Sequence, residues 1–489
     1  MGRGASIAAL HSDLRWGRFS SWLSGAVMGV VRKRACIGLV LALVSCGSQE
    51  SQVGQRPNLL FITTDDQRFD MLGVVHPFLE TPTMDRLATE GVRFENAFVT
   101  TPICAASRAS LLTGMVERTH RFTFGTPPLA AQFVDQSYPV LLRQAGYRTG
   151  FIGKLGVATE PGATDAMFDS LSVMAPPYIR QQPDGSSRHL TDIAADQAID
   201  FLRAAEKTRP FALTLSFNAP HADDNDDRQY VWPQAMDQKY AQVVVPAPPL
   251  AEPAFFEALP TFLKDASLNR VRWNWRFDTP AKAQRMTRGY WRMISGVDAA
   301  IGRVLGELDA LELAANTVVI LMGDNGYFLG ERGYAGKWLP YELSIRVPLI
   351  VFDPRATRES RGALPTQPVL NIDIAPTLLD LAGVGVSRTM QGRSLVPILG
   401  GAIPPDWRSD FFVEHLFDVP EIPKHEGVRG ERYKYARYFE QEPVYEELYD
   451  LLMDPMETRN LAADPAHFGT LTELRRRTDQ LQTQYGGPY

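Results

Sequence analysis

The sequence predicts an α/β chain built on a large, mostly parallel sheet with helices on both faces. Three observations predict it: short, uniformly apolar runs recur along the chain, amphipathic helical stretches separate them, and each run stops abruptly at polar residues. A run that is apolar throughout suits a strand covered on both faces. Strand alternating with helix is the pattern of a sheet wound with crossover helices. The 489 residues, 45% hydrophobic and 22% charged, have ordinary globular composition. That length fits two or three units, or one large α/β domain plus a smaller one.

In chain order, the first run is Leu59-Leu60-Phe61-Ile62, ending in Thr63-Thr64-Asp65-Asp66. Pro102 then breaks any preceding helix, and Ala105 to Leu112 has good helix formers, which puts Cys104 at a helix N-terminus. Tyr138 to Ala145 reads as an amphipathic helix, followed by the short strand Gly150-Phe151-Ile152, which ends in Gly153-Lys154. Ile193 to Ala205 is a further helix, and the strand Phe211 to Phe217 after it ends in Asn218-Ala219-Pro220-His221. A helix over Met293 to Leu311 leads to Val318-Val319-Ile320-Leu321, ending in Gly323-Asp324-Asn325-Gly326. In open sheets of this kind ligands bind outside the carboxyl ends of the strands. Four distant segments therefore deliver Asp65, Asp66, Lys154, His221, Asp324 and Asn325 to one edge.

Ahead of this lies an address label. Arg32, Lys33 and Arg34 precede the apolar run Ala35 to Val44 and then Ser45 and Cys46, a charged, apolar and small-residue order typical of an export signal. The run is about half of the roughly 20 residues that span a bilayer. Leu43-Val44-Ser45-Cys46 resembles the lipobox of bacterial lipoproteins, in which the Cys is acylated and becomes the new N-terminus. Gly47 follows it, with no Asp to retain the protein at the inner membrane. The expectation is a periplasmic or outer-membrane lipoprotein: a leader over 1–46, a polar tether over 47–55, and a membrane contact through lipid on Cys46. An ordinary secretory signal with an incidental Cys is the plainer alternative. Residues 1–27 fit no targeting pattern, and a start at Met28 gives a more usual signal length.

The net charge is −6, and removing the leader's excess of +5 leaves about −11, which gives no reason to expect a nucleic-acid partner. There are three cysteines. With Cys36 in the leader and Cys46 lipidated, Cys104 stands alone in the folded body and has no disulfide partner. It is either a passive buried hydrophobe or a reactive group. A helix N-terminus favours an anion there, and Arg108, four residues on, shares its face. At the sheet edge, Asp65, Asp66, Asp324 and the Asn325 amide make a hard oxygen cluster. Three carboxylates together need a compensating cation, and oxygen ligands suit Ca²⁺ or Mg²⁺ rather than zinc. A single Asp-Asp pair is more often a helix cap or a turn. Two such pairs at strand ends, with a Lys and a His at two more, read as a site.

The segment Thr101-Pro102-Ile103-Cys104-Ala105-Ala106-Ser107-Arg108-Ala109-Ser110-Leu111-Leu112-Thr113-Gly114 resembles the signature of the sulfatase family of the alkaline-phosphatase superfamily, Cys-x-Pro/Ala-Ser-Arg followed by Leu-Thr-Gly. The resemblance runs from about Arg56 to the C-terminus. It takes in Asp65-Asp66, Gly323-Asp324-Asn325-Gly326, Gly336-Lys337 and Ser344-Ile345-Arg346-Val347-Pro348, with Glu447-Leu448-Tyr449-Asp450 and Asn460-Leu461 toward the end. It implies a catalytic α/β domain over 56–400 and a smaller C-terminal α+β subdomain with an antiparallel sheet over 401–489. It also implies that a maturation enzyme oxidises Cys104 to formylglycine, whose hydrate attacks sulfur. By the same resemblance, Asp65, Asp66, Asp324, Asn325 and modified residue 104 bind one Ca²⁺. Arg108 holds the nucleophile, Lys154 and Lys337 neutralise the sulfuryl group, and His221 donates a proton to the departing oxygen.

Relatives of this kind often carry Gly-Lys-Trp-His where this chain has Gly153-Lys154-Leu155-Gly156, so the second His is absent. His120, His189 and His415 are available, without assignment, as a replacement base. Lys337, between Tyr334 and Trp338, is open to a plain cation–aromatic reading, and His221 to a turn role. Gln67, Arg68 and Asp70 are candidate pocket residues. The stretch Trp273-Asn274-Trp275-Arg276-Phe277 is a candidate sugar platform or simple packing, and Glu414-His415 with Lys424-His425 a candidate side wall. Bacterial lipoproteins of this type resemble glycan sulfatases, so the expected partner is a sulfated carbohydrate or another sulfate monoester. The competing readings are a phosphate or phosphonate monoester hydrolase of the same superfamily and a glycan-binding lipoprotein without turnover.

Overall fold

The computed structural model describes residues 56–487 apart from 207, 266, 358 and 359. The leader, the tether, Cys36 and Cys46 lie outside the described residues. Among the described residues, no helix is long and apolar enough to cross a membrane.

The central sheet has seven strands: β1 (Asn58–Thr64), β2 (Val92–Arg93), β3 (Arg148–Gly153), β4 (Ser170–Val173), β5 (Phe211–Ser216), β6 (Thr317–Gly323) and β7 (Leu349–Phe352), in the order β2-β7-β6-β1-β5-β3-β4. From β6 across to β4 every pairing is parallel, and β7 runs antiparallel to both of its neighbours. All four strands expected from the sequence are present; three extend beyond their apolar runs, and the one expected over Phe211 to Phe217 ends a residue earlier, at Ser216. Register decides where they end. Thr64 pairs with Gly323, Thr63 with Ser216, and Gly153 with Ser216, so four carboxyl ends lie side by side.

Alternation along β1 shows why its run is apolar throughout: Leu59 and Phe61 join one core, Leu60 and Ile62 the other. The first core is closed by α2 (Cys104–Thr113), α3 (Tyr138–Gln144) and α6 (Ile374–Leu381). The second is closed by α1 (Pro82–Glu90), α4 (Leu190–Arg203) and α5 (Pro280–Ala310). The 31-residue α5 starts well before the expected Met293, because Pro280 fits a first helical turn and the Thr279 hydroxyl caps the N–H of Lys282. Its early turns are polar, which hides them from a search for apolar periodicity.

Toward the C-terminus, β8 (Asp410–His415), β9 (His425–Gly430), β10 (Tyr433–Tyr438) and β11 (Tyr445–Asp450) form an antiparallel meander. Helix α7 (Phe468–Gln484) packs Leu471 and Leu481 on one face of it, against Phe412, Val428, Tyr435 and Leu448. On the other side Tyr438 and Tyr449 meet Phe328, Tyr334 and Tyr341. The fully buried Arg118, just beyond α2, pairs with Glu414 at 2.9 Å and Glu426 at 2.5 Å, binding this sheet to the helix that begins at Cys104.

Candidate active site

The aligned strand ends bring the predicted residues together. The Asp324 N–H donates to Thr64 O at 2.9 Å and the Asp66 N–H to Asp324 Oδ1 at 3.1 Å, which locks the two acidic pairs side by side. Asp66 adopts a left-handed φ of 65°, a conformation Asp tolerates better than most residues, and the Tyr290 hydroxyl holds its carbonyl at 2.6 Å. At the end of β3, Gly153 has φ 111°, and a Cβ there would lie 1.8 Å from Ser216 O. Glycine alone lets the chain turn so closely and present Lys154. His221 follows β5, where the Tyr178 hydroxyl donates to Asn218 O at 2.9 Å and His221 O at 2.6 Å. Lys337 follows the hairpin of Phe328–Leu329 and Ala335–Gly336, and its carbonyl accepts Asn269 Nδ2 at 2.9 Å.

Cys104 is the first residue of α2, and no side chain caps that helix, so its free N–H groups leave partial positive charge beside the thiol. The Cys104 side chain is buried and its Sγ lies 3.6 Å from Lys154 Nζ. One turn on, Arg108 Nε donates to Asp324 Oδ2 at 2.8 Å, and Nη1 donates to Lys154 O at 2.5 Å and to Ser216 Oγ. Arg108 Nη2 is buried, has no hydrogen-bond partner among the described residues, and sits 4.0 Å from Asp65 Oδ2.

The charges nearly balance. Lys154 pairs with Asp65, and Lys337 pairs with Asp66 and lies 3.7 Å from Asp65. Burial would raise the Asp65 carboxyl, but Lys154, His221, Lys337 and Arg108 together hold it well below the usual carboxylate range. Burial, reinforced by Asp65, pushes Asp324 up to about 6 against the pull of Arg108, Lys337 and Lys154. Burial lowers His221, partly offset by Asp66 and Asp65. It also works against charge on Lys337 and Lys154, yet the carboxylates and Cys104 around them raise both. The expectation that three carboxylates need a metal for compensation is thus amended, because Arg108, Lys154 and Lys337 share that work.

The site nonetheless fits a hard divalent cation. Asp65 Oδ1 and Asn325 Oδ1 are buried without a hydrogen-bond partner among the described residues. Asn325 Nδ2 donates to Asp66 Oδ1 at 2.7 Å, leaving the amide oxygen free. Asp65, Asp66 and His221 offer ligand atoms within 4.8 Å of one another. Unsatisfied oxygens among carboxylates are what Ca²⁺ or Mg²⁺ coordinates.

Other expectations are redirected. Lys337 pairs with Asp66, and it is Arg272 that lies over the Trp338 ring, at 4.8 Å. His221 Nδ1 donates to its neighbour's carbonyl, Ala222 O, at 2.5 Å, and Nε2 lies 3.7 Å from Asp66 Oδ2. Gln67 and Arg68 are internal ties rather than pocket walls, Gln67 Nε2 donating to Met71 O at 2.7 Å and Arg68 pairing with Asp70 and Glu331. Trp273 to Arg276 belongs to helix Leu268–Arg276, with Trp273 stacked on Arg270 and Arg276 buried among polar partners. His120 bonds Ser110 and the Phe122 N–H, and burial pushes it down to about 3. His189 caps Thr191 and meets Val231 O. His415 and His425 stack face to face in the interior. Lys424 pairs with Asp418 and Glu440. Gly156 faces the cluster: a Cβ there would lie 2.9 Å from Arg108 Cδ and 3.8 Å from Lys154 Cε. Sequence reading missed Ser216, whose hydroxyl accepts from Arg108 and Thr63 and donates to Lys154 O at 2.7 Å. Its only signal was its place at a strand end.

The family model described as sulfatase matches residues 57–384, and one described as N-sulphoglucosamine sulphohydrolase, C-terminal, matches residues 330–484. An N-acetylglucosamine-6-O-sulfatase of Bacteroides thetaiotaomicron is 28% identical over 533 residues, spanning 95% of this chain and 94% of its own. A solved structure in complex with its substrate, D-glucosamine-2-N,6-O-disulfate, superposes with a TM-score of 0.75 at 27% identity, covering 88% of this chain and 98% of its own. A phosphonate monoester hydrolase of Agrobacterium radiobacter, with a TM-score of 0.73 at 24% identity over 88% of this chain and 96% of its own, shares the fold.

Proposed function

We propose that this chain, which belongs to the sulfatase family and is a sulfuric ester hydrolase, removes sulfate from a sulfated carbohydrate with residue 104 as nucleophile. The observation that carries this reading is the meeting of three carboxylates, an amide oxygen and three cations around the first residue of α2. The carbohydrate part rests on the glucosamine sulfates acted on or bound by the similar proteins.

A maturation enzyme would oxidise Cys104 to formylglycine, whose hydrate supplies one hydroxyl to attack sulfur and a second whose deprotonation expels sulfate. Asp65, Asp66, Asp324 and Asn325, with residue 104, would hold Ca²⁺, which supplies polarisation of a sulfate oxygen and a lowered pKa for the attacking hydroxyl. The chain's own side chains do the rest. The unmatched Arg108 Nη2 would donate to the nucleophilic oxygen. Lys154 and Lys337 would stabilise charge on the sulfuryl oxygens, the electrostatic contribution that usually dominates such reactions. As the bond from sulfur to the sugar oxygen breaks, His221 Nε2 would give that oxygen its proton, with Nδ1 tied to Ala222 O to fix the ring. Because Gly156 supplies no side chain, the later proton removal falls to groups already in the cluster. We further propose export and lipid anchoring through Cys46, with the catalytic part over 56–400 and the C-terminal part over 401–489.

Two measurements test this. Peptide mass spectrometry of exported protein should find an aldehyde at residue 104; a persistent thiol would overturn the nucleophile assignment. kcat/KM on matched sulfate and phosphate monoesters should favour sulfate, and a preference for phosphate would return the monoester-hydrolase reading.

A further inference from the structure

Solvent reaches the catalytic cluster on the side of Lys154 and His221. Asp65, Asp66, Asp324, Asn325, Arg108 and Lys337 are buried, whereas the Lys154 and His221 side chains are 21% and 22% exposed. An ester whose sulfate sits in the cluster must extend its sugar along that side. Three residues beyond His221 stands Asp224, its side chain 28% exposed. Arg272 and Arg276 each ion-pair one of its two carboxylate oxygens.

The two arginines are not equivalent. Arg276 is buried and fully committed, with Nε donating to Gln229 Oε1 at 2.9 Å and Nη1 to the Tyr327 hydroxyl at 2.7 Å. It alone would anchor Asp224. Arg272 instead lies with its guanidinium over the ring of Trp338, the residue after Lys337. Its helix is fastened there by Asn269, one turn earlier, which holds the Lys337 carbonyl. The pair therefore bridges the loop that carries His221 and the loop that carries Lys337.

We propose that Asp224 and Arg272 read the sugar, Asp224 accepting hydrogen bonds from two adjacent ring hydroxyls of the leaving group. Each carboxylate oxygen already takes one guanidinium donor and keeps capacity for another, and the spacing of the two oxygens suits a vicinal diol. A bare carboxylate would repel a sulfated substrate; flanked by two guanidinium groups it does not. Burial would raise Asp224, but Arg272, Arg276 and His221 hold it below the usual carboxylate range, so it remains an acceptor near neutral pH. This inference rests on the proposed function and specifies its substrate: a sulfated pyranose with a free diol.

The test uses N-acetylglucosamine 6-sulfate, its 4-deoxy analogue and 4-nitrophenyl sulfate, which has no ring hydroxyls. Asp224→Asn should lower the ratio of kcat/KM for the sugar over the aryl sulfate by roughly 10- to 100-fold. The 4-deoxy sugar should be poor for the native enzyme, and the variant should lose nothing further on it, the non-additivity expected of a direct contact. Arg272→Gln should shift selectivity the same way if Asp224→Asn fails to fold. Equal losses on sugar and aryl sulfate, or fully additive losses with the 4-deoxy sugar, would overturn the inference. So would an enzyme that prefers a sugar whose diol is replaced by a second anionic group. Turnover of neither sulfate by aldehyde-bearing native enzyme would instead overturn the catalytic reading beneath it.

Discussion

Asp324→Asn separates the structural part of the acidic cluster from the ion binding proposed for it. The carboxylate takes the Asp66 N–H at 3.1 Å on one oxygen and Arg108 Nε at 2.8 Å on the other. An amide of the same shape can accept only one of them and turns its NH₂ toward the second donor, which costs about 1–3 kcal/mol. Against this, burial has pushed the carboxyl from 3.8 to about 6. An ionised Asp324 in the ion-free protein therefore carries roughly 3 kcal/mol of unfavourable free energy, which the amide removes. The two effects oppose each other, so the melting temperature of ion-free protein should move by less than about 5 °C. Ion affinity has no such compensation. At about 4 Å and an effective dielectric constant near 20, one unit charge is worth roughly 4 kcal/mol to a monovalent ion and more to a divalent one. Arg108, freed of its partner, adds repulsion. Calcium affinity measured by calorimetry should fall by at least about 100-fold, and turnover with it. Affinity unchanged within twofold would refute the ligand assignment, and a melting point lowered by more than about 10 °C would refute the balance struck here.

Three further outcomes follow from the geometry. Gly153→Ala forces a Cβ against Ser216 O at φ 111°; it should destabilise by about 2–5 kcal/mol in denaturant titration and depress activity by displacing Lys154, and a fully active, equally stable variant would contradict it. His221→Ala should cut kcat/KM on a sugar sulfate by roughly 100- to 10,000-fold but on 4-nitrophenyl sulfate by less than about tenfold, since nitrophenolate departs without a proton; equal losses would remove the proton-donor role. Asp298, in α5, accepts the N–H groups of Thr83 and Met84 at the start of α1, and burial and Asp85 push it up to about 6 despite those bonds. A carboxyl raised on folding binds its proton more tightly in the folded state, so its contribution to stability weakens as pH climbs from about 4 to 6. Relative to Asp298→Asn, the native protein should lose about 3 kcal/mol over that window, read by urea denaturation at several pH values, and parallel curves would be inconsistent with this.

The parts of the fold that could be read in advance were those with a one-dimensional signature. Leu59 to Ile62 and Val318 to Leu321 are apolar at every position because both faces of β1 and β6 are covered, and that pattern needs no knowledge of neighbours. Strand order is different in kind. Nothing local to Leu349–Phe352 shows that it inserts antiparallel between β2 and β6. The same division runs through the site. Polar residues at the ends of buried strands were visible as such, and the parallel register made their convergence inevitable. The pairing of Asp224 with Arg272, 48 positions apart, was not visible, because it depends on how a helix in a long insertion docks on the Gly336–Lys337 turn. Charge sharing was also hidden: Arg108, Lys154 and Lys337 were named for the site, but not that they would pair with Asp324, Asp65 and Asp66.

Cys104 is 5% exposed at the root of a helix packed on the sheet, and on the maturation route proposed above this burial would set an order of events. An enzyme that installs an aldehyde there would have to reach a side chain that the finished molecule encloses. Oxidation would then come before collapse, and a copy that folded first would be sealed in its thiol state. Adding the maturation enzyme late would leave such copies unchanged unless they were unfolded, and the yield of active protein would be decided by a race between folding and modification.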